Sequence, residues 1–433
     1  MRKITYFITI LLLILTLAAA ALLWRSGKFD LLREPEPAPT AVPAETALPS
    51  RPPVPTATPT PTPIPTPDPT PDYLTLSFIG DCTLASSQHH KGNAYAFEKL
   101  TGEDYAYPFA ETVQYFENDY LSFANMEGTF TTSSADSGGT FVFKSDPAYA
   151  QVFAEGGIDF VTLANNHAGD FLQQGREDTK AALDAAGVEY AGDDEWYLCR
   201  REDGPTVGVY CALYPDVYGA DKVAAGVKAL KEAGAELIIC ALHWGIEGSY
   251  QVTAGQTQVA HAAIDAGADI IWGSHPHVLQ RTEEYNGKYI FYSLGNWSFG
   301  GNTAPRDRDT AIIQVTVKRD IDGTLSLEGF TCNPCALSGH ETYNDYQPCP
   351  LEAGTAEYAR TMSKLDGSWK GTDLSIDYSA FHDKDESAAA DGEDDTAENG
   401  EAPAAAEEST GGGTVASIPS EEQPVLTESG GEQ

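Results

Sequence analysis

Asp269-Ile270-Ile271-Trp272-Gly273-Ser274-His275-Pro276-His277 sets an apolar run directly before a turn that carries two histidines. The run reads as the end of a buried strand, because continuous apolar residues bounded by glycine suit a parallel-sheet core. Two imidazoles at i and i+2, with a rigid proline between them, can project to one side of the turn. Such a pair can chelate a metal, flank an anion, or simply hydrogen-bond within its loop. The rest of the chain weighs these readings.

Outward from this point, strand-like runs alternate with amphipathic ones from residue 73 to about 378. Strands are predicted at 74–79, 120–124, 160–163, 207–213, 237–242, 269–272, 288–293, 310–317 and 324–330, the last two pairing around Asp322-Gly323. Helices are predicted at 107–116, 147–154, 173–186 (stopped by Gly187), 220–233 and 257–266. The alternation argues an α/β domain. In open α/β sheets the ligand site lies beyond the carboxyl ends of the strands. Five predicted strands end in Asp81, Asn125 and Glu127, Asn166 and His167, His243, and His275 with His277. Singly, Asp81 reads as a turn residue and Asn166 as a capping residue. As a set they read as a site. His89, His90, His261, His340 and His382 fall in polar loops, in a helix or at the tail, and read as structural.

Carboxylate, amide and imidazole donors on one rim suit Mn, Fe or Zn rather than calcium, which prefers oxygen alone. A two-metal phosphoesterase needs such donors plus a free histidine near the leaving group. Asp81, Asn166, His243, His275 and His277 supply the donor types, and His167 is placed to be the free acid.

GDCTLA (80–85), NMEGTF (125–130), LANNHAGD (163–170), HWGIEGSY (243–250), GSHPHVLQ (273–280) and YSLGNWSFG (292–300) together resemble the successive signatures of the CapA family. This is the capsule-synthesis, poly-γ-glutamate biosynthesis group of the calcineurin-like metallophosphoesterase superfamily, and the resemblance spans about residues 74–314. It implies an α/β fold of two sheets sandwiched between helices. It implies one or two divalent ions held by Asp81, Glu127, Asn166, His243, His275 and His277, with His167 as catalytic acid. Asn125, Asn296 and Thr83 are expected to shape the site. Two departures stand out: Thr83 occupies the place of an imidazole in Asp-x-His, and Glu127 that of a bridging aspartate.

The ends of the chain have other characters. Residues 4–24 form an almost wholly apolar run after Arg2 and Lys3, long enough to span a bilayer as a helix. It reads as an uncleaved anchor with its N-terminus inside, or as a signal peptide cleaved near 18–21; either way the body is exported. The expected organisation is an anchor (1–28), a Pro/Thr-rich spacer (29–72), a CapA-like body (73–381) and an acidic disordered tail (382–433). That tail carries fifteen acidic residues and a single lysine. With 64 acidic against 26 basic residues, a net charge of -38 disfavours nucleic acid as a partner. The expected partners are an anionic cell-surface polymer such as poly-γ-glutamate, the membrane, and other membrane subunits of a capsule synthesis complex. Among seven cysteines, Cys332, Cys335 and Cys349 are close enough in sequence for one bridge in an oxidising compartment. Three functions are in view: a metal-dependent phosphoesterase acting in polymer synthesis or export, a non-catalytic scaffold that keeps the fold, and an amide hydrolase. The last lacks a Gly-x-Ser-x-Gly elbow or a Cys-His pair.

Overall fold

The computed structural model describes residues 72–201, 204–213 and 219–374. The expected anchor, nearly all of the spacer, and the tail with His382 lie outside them. Among the described residues no helix is long and apolar enough to cross a membrane. In chain order the strands are β1 (Asp72–Thr83), β2 (Leu121–Met126), β3 (Thr129–Phe130), β4 (Lys144–Ser145), β5 (Phe160–Thr162), β6 (Glu189–Ala191), β7 (Glu195–Cys199) and β8 (Val207–Leu213). They continue as β9 (Leu237–His243), β10 (Ile270–Ser274), β11 (Thr282–Tyr285), β12 (Lys288–Phe291), β13 (Asn296–Phe299), β14 (Asp309–Arg319), β15 (Leu325–Ala336) and β16 (Cys349–Pro350).

Two sheets result. One runs β16-β15-β14-β1-β2-β5-β6, with β13 also on β1; the other runs β11-β12-β10-β9-β8-β7. The centres are parallel: β1, β2, β5 and β6 in the first sheet, β8, β9, β10 and β12 in the second. In the second sheet β8, β9 and β10 are accordingly near-continuous apolar runs, whereas β1 alternates through Leu74-Thr75-Leu76-Ser77-Phe78. The hairpin partners β14 and β15 pair antiparallel, as the Asp322-Gly323 turn predicts.

Aromatic and branched side chains from both sheets meet between them. Phe78, Phe123 and Phe160 face Ile239, Trp272 and Phe291, all at most 1% exposed. Burial of side chains of this size contributes about 1.5–3 kcal/mol each. Trp272 also donates its indole N–H to the Ile79 carbonyl at 3.0 Å, which ties the site end of one sheet to that of the other. Outside the first sheet, the helices Gln151–Glu155 and Leu172–Ala186 bury Val152, Phe153 and Leu183. Outside the second, Ala220–Glu232 and Ala254–Ala266 bury Val227, Leu230, Val259 and Ala263. The layering is therefore helix, sheet, sheet, helix, as the resemblance implies.

The strand β1 changes partner where it reaches the site. Residues up to Phe78 pair with β14, whereas Asp81 pairs with Asn296 of β13. The switch needs Gly80: a Cβ there would lie 1.9 Å from the Gly295 carbonyl oxygen, so any larger residue would push the strands apart.

Several expectations require correction. Residues 107–116 do not form an α-helix but two 3-10 turns, Tyr107–Phe109 and Val113–Tyr115. There Phe109 and Phe116 pack edge-on to each other and both contact Trp297, so the chain follows the core rather than a helical period. Strands β3, β4, β6, β7, β11, β13 and β16 and the helices Phe97–Thr101 and Ala356–Leu365 go beyond the expected elements; the strands among them are too short to leave a periodic signal. Cys332, Cys335 and Cys349 are free thiols rather than a bridge.

Candidate metal centre

The five strand ends converge. Asp81, near the end of β1, is wholly buried and accepts from Asn125 Nδ2 at 2.8 Å and from the His275 backbone N–H at 3.3 Å. Asn125 is in turn braced by Asn165, whose amide donates to Asn125 Oδ1 at 3.1 Å and to the Met126 carbonyl at 2.7 Å. His277 brings Nδ1 to 2.8 Å from Asn296 Oδ1 and 3.3 Å from Asp81 Oδ2. His275 and His277 both sit at positive φ, 97° and 57°, on either side of Pro276. Such backbone costs about 1–3 kcal/mol for a residue with a Cβ and tends to persist at functional sites.

Glu127 is the anomaly. It is 0% exposed, and neither carboxylate oxygen has a hydrogen-bond partner. His243 Nε2 and His277 Nε2 stand 3.8 and 3.9 Å from Oε1, beyond hydrogen-bond reach. A buried carboxylate without such partners is costly. Burial accordingly pushes Glu127 up to about 7, with His277 opposing and Asp81 adding to the shift. Burial also lowers His277, but Glu127 and Asp81 outweigh it and push its pKa up to about 10. Burial, then His277, pulls His275 down to about 4, and burial with His275 and His277 holds His243 well below its ordinary value.

A cation fits this arrangement. Asp81, Glu127 and His277 offer ligand atoms within 4.8 Å of one another, and so do Glu247, His275 and His277. Donors on one ion at about 2.0–2.2 Å lie at most twice that far apart, so both groups need only small closure. The two groups share His277. His243 and Asn166 stand differently: His243 Nε2 meets Asn166 Oδ1 at 2.7 Å, while Nδ1 lies 2.8 Å from the Ser274 hydroxyl. That pair satisfies itself directly. Thr83 is buried beside Asp81, and its hydroxyl has no hydrogen-bond partner.

His167 lies at the mouth, lining a cleft with Glu247, His277, Phe143, Phe299 and Arg306. Its Nδ1 is 2.9 Å from Asp170 Oδ2, which leaves Nε2 for a bound group. The same Asp170 oxygen accepts from the Phe143 backbone, and Phe143 packs edge-on against the imidazole at 4.7 Å. Burial lowers His167, but the Asp170 bond and the Glu127 charge prevail and raise its pKa.

Each expected site residue is therefore in or against this cluster. Four that matter were not singled out: Glu247, Asn165, Asp170 and Ser274. All four stand inside the quoted motifs, but Glu247 and Asp170 lie in loops where no periodicity marks them. His261 and His340 are structural, on Glu283 and Tyr285 and on Tyr343 respectively. Cys82 is no nucleophile: burial, with Asp81 and Glu127 adding, raises its thiol far above the ordinary value.

Known proteins resemble this chain in sequence. The chain is 31% identical over 281 residues to the PGA biosynthesis protein CapA of Bacillus subtilis (strain 168), covering 59% of this chain and 71% of that one. It is 28% identical to the capsule biosynthesis protein CapA of Bacillus anthracis, over 59% of this chain and 66% of the relative. Among solved structures, the NAD nucleotidase of Haemophilus influenzae is similar at 13% identity and a TM-score of 0.36, over 74% of this chain and 61% of that one. The family model of the bacterial capsule synthesis protein PGA_cap matches residues 75–196 and 200–300. The chain belongs to that bacterial capsule synthesis family.

Proposed function

We propose that the protein works outside the cytoplasmic membrane, tethered by residues 1–28, in the synthesis or export of an anionic surface polymer of the poly-γ-glutamate type. Its site, in this reading, takes one or two divalent ions (Mn, Fe or Zn) and hydrolyses or transfers at a phosphoester. The observation that carries the metal reading is Glu127: a wholly buried carboxylate with no hydrogen-bond partner, facing Asp81, His243 and His277. The names of the two Bacillus relatives support the polymer, and the apolar run at 4–24 supports the tether.

Asp81, Glu127 and His277 would hold one ion, and Glu247, His275 and His277 the other donor group. A bound divalent ion supplies Lewis-acid polarisation of a phosphoryl oxygen. The remaining chemistry belongs to the chain. Asn125 and Asn296 orient Asp81 and His277. Asp170 fixes the His167 ring so that Nε2 can give a proton to the departing oxygen. Phe143 and Phe299 wall the cleft against water.

The test is elemental analysis of the purified chain together with melting temperature with and without manganese, for wild type and His275→Ala. Near-stoichiometric metal that disappears in the variant is expected; a metal-free wild type with an unshifted melting temperature sinks the reading. Phosphodiester turnover then decides between catalysis and the scaffold reading, which Thr83 in place of a second imidazole favours. His167→Ala should abolish turnover in an enzyme and leave a scaffold's polymer association intact.

A further inference from the structure

Glu247 sits on a loop that is fastened from behind by residues outside the family match. Lys364, on the helix Ala356–Leu365, is buried, with Nζ 2.7 and 2.8 Å from the two Asp307 oxygens and 2.6 Å from Asp309 Oδ2. The Tyr250 hydroxyl donates to Asp307 at 3.0 Å, and the Tyr250 ring lies 4.9 Å below the Lys364 ammonium. Asp373, nine residues past Lys364, accepts from the Ser249 hydroxyl at 2.8 Å and from the Tyr250 backbone N–H at 2.9 Å. Between these ties and the site, the Gly248 N–H donates to the Pro276 carbonyl at 2.8 Å, and the Leu374 N–H donates to the Gly248 carbonyl at 2.9 Å. Pro276 is the residue between the two histidines. The chain of contacts thus runs from a buried ion cluster, through one loop, into the His275-Pro276-His277 turn.

We propose that Lys364 is a positioning residue: with Asp307 and Asp373 it holds the Glu247-bearing loop against the His-Pro-His turn. A lysine whose charge is buried and met by two carboxylates resists displacement, because freeing either partner leaves a buried charge unpaired. The loop inherits that rigidity through Tyr250 and Ser249. That the fastening serves to aim Glu247 at an ion rests on the metal reading above; the fastening itself does not.

Hydrogen–deuterium exchange and manganese titration by electron paramagnetic resonance, on the full-length chain, test both parts. In Lys364→Met the 245–251 segment should exchange about tenfold faster, while the helix Leu172–Ala186 keeps its wild-type rate. Unchanged exchange at 245–251 overturns the proposal. Manganese affinity should fall by about 10–100-fold, the range typical of lost outer-sphere support. The same substitution added to Glu247→Gln should cost nothing more, as the two act through one group. Faster loop exchange with wild-type manganese affinity overturns the positioning role. If Lys364→Met loosens the whole chain, Tyr250→Phe carries the test, since it removes one hydrogen bond and leaves the ion cluster whole. A wild type that takes up no manganese defeats the metal reading instead, and exchange alone then decides the fastening.

Discussion

Two buried clusters of charge lie on either side of the loop that carries Glu247, and they are built on opposite terms. In the rear cluster every charge is answered. Asp309 takes two hydrogen bonds from Arg360 at 2.7 and 2.8 Å and one from Lys364, and Asp307 takes Lys364 and Tyr250. Burial would raise Asp309, but Arg360 and Lys364 hold its carboxyl below the ordinary carboxylate range. In the front cluster Asp81 is bonded while Glu127, equally buried, is left without a hydrogen bond. A fully paired network is a finished structural part, whereas a partly paired one is waiting for something with a positive charge.

The sharpest way to break that contrast is to damage the finished side. Asp309→Ala should lower the free energy of unfolding by about 3–5 kcal/mol in denaturant titration, because it strips Arg360 and Lys364 of their shared partner. A loss below about 1 kcal/mol would mean the rear cluster is ornamental. On the front side, Glu127→Gln should stay within about 1 kcal/mol of wild type without cation, since no hydrogen bond is lost. The same variant should forfeit the stabilisation that manganese gives wild type, about 2.7 kcal/mol at a hundredfold excess over Kd. Large destabilisation in the absence of cation would show Glu127 to be a structural part after all.

A third test concerns a carboxyl outside both clusters. Burial, with Asp159 adding and Ser77 and Ser122 opposing, pushes Asp119 up to about 6 from an ordinary 3.8. The folded chain then binds a proton that the unfolded chain has released, so this group favours folding below about pH 4 and loses that contribution as pH rises through 6. Asp119→Asn should flatten the fall in melting temperature across that window; an unaltered slope defeats the assignment. The smallest effect belongs to the exposed pair Lys180–Glu195 at 3.4 Å. Lys180→Ala should change stability by at most about 1 kcal/mol, and the change should vanish in high salt.

The front cluster was largely legible in sequence and the rear one was not. Asp81, Asn125, His243, His275 and His277 stand at the ends of apolar runs, so hydrophobic pattern alone placed them on one rim. Glu247 lies four residues after such an end, in a loop with no period, and could be assigned only from its proximity to His275 and His277. Lys364 was invisible for a different reason. Its helix has few large apolar residues to mark a period, and nothing local shows that a lysine there is buried, since its partners lie 55 and 57 residues away. The 3-10 turns at 107–116 show the same limit: the local sequence reads as a helix, but contact with Trp297, far along the chain, sets the path.

The left-handed backbone at His275 and His277 has an evolutionary consequence. Glycine relieves the steric penalty of that conformation, about 1–2 kcal/mol per residue for a side chain with a Cβ. A population of variants selected only for heat tolerance would therefore gain by replacing either histidine, and would drift away from whatever the turn was shaped to bind. Retention of imidazoles there under such selection would mark a benefit to the cell that outweighs a more robust fold.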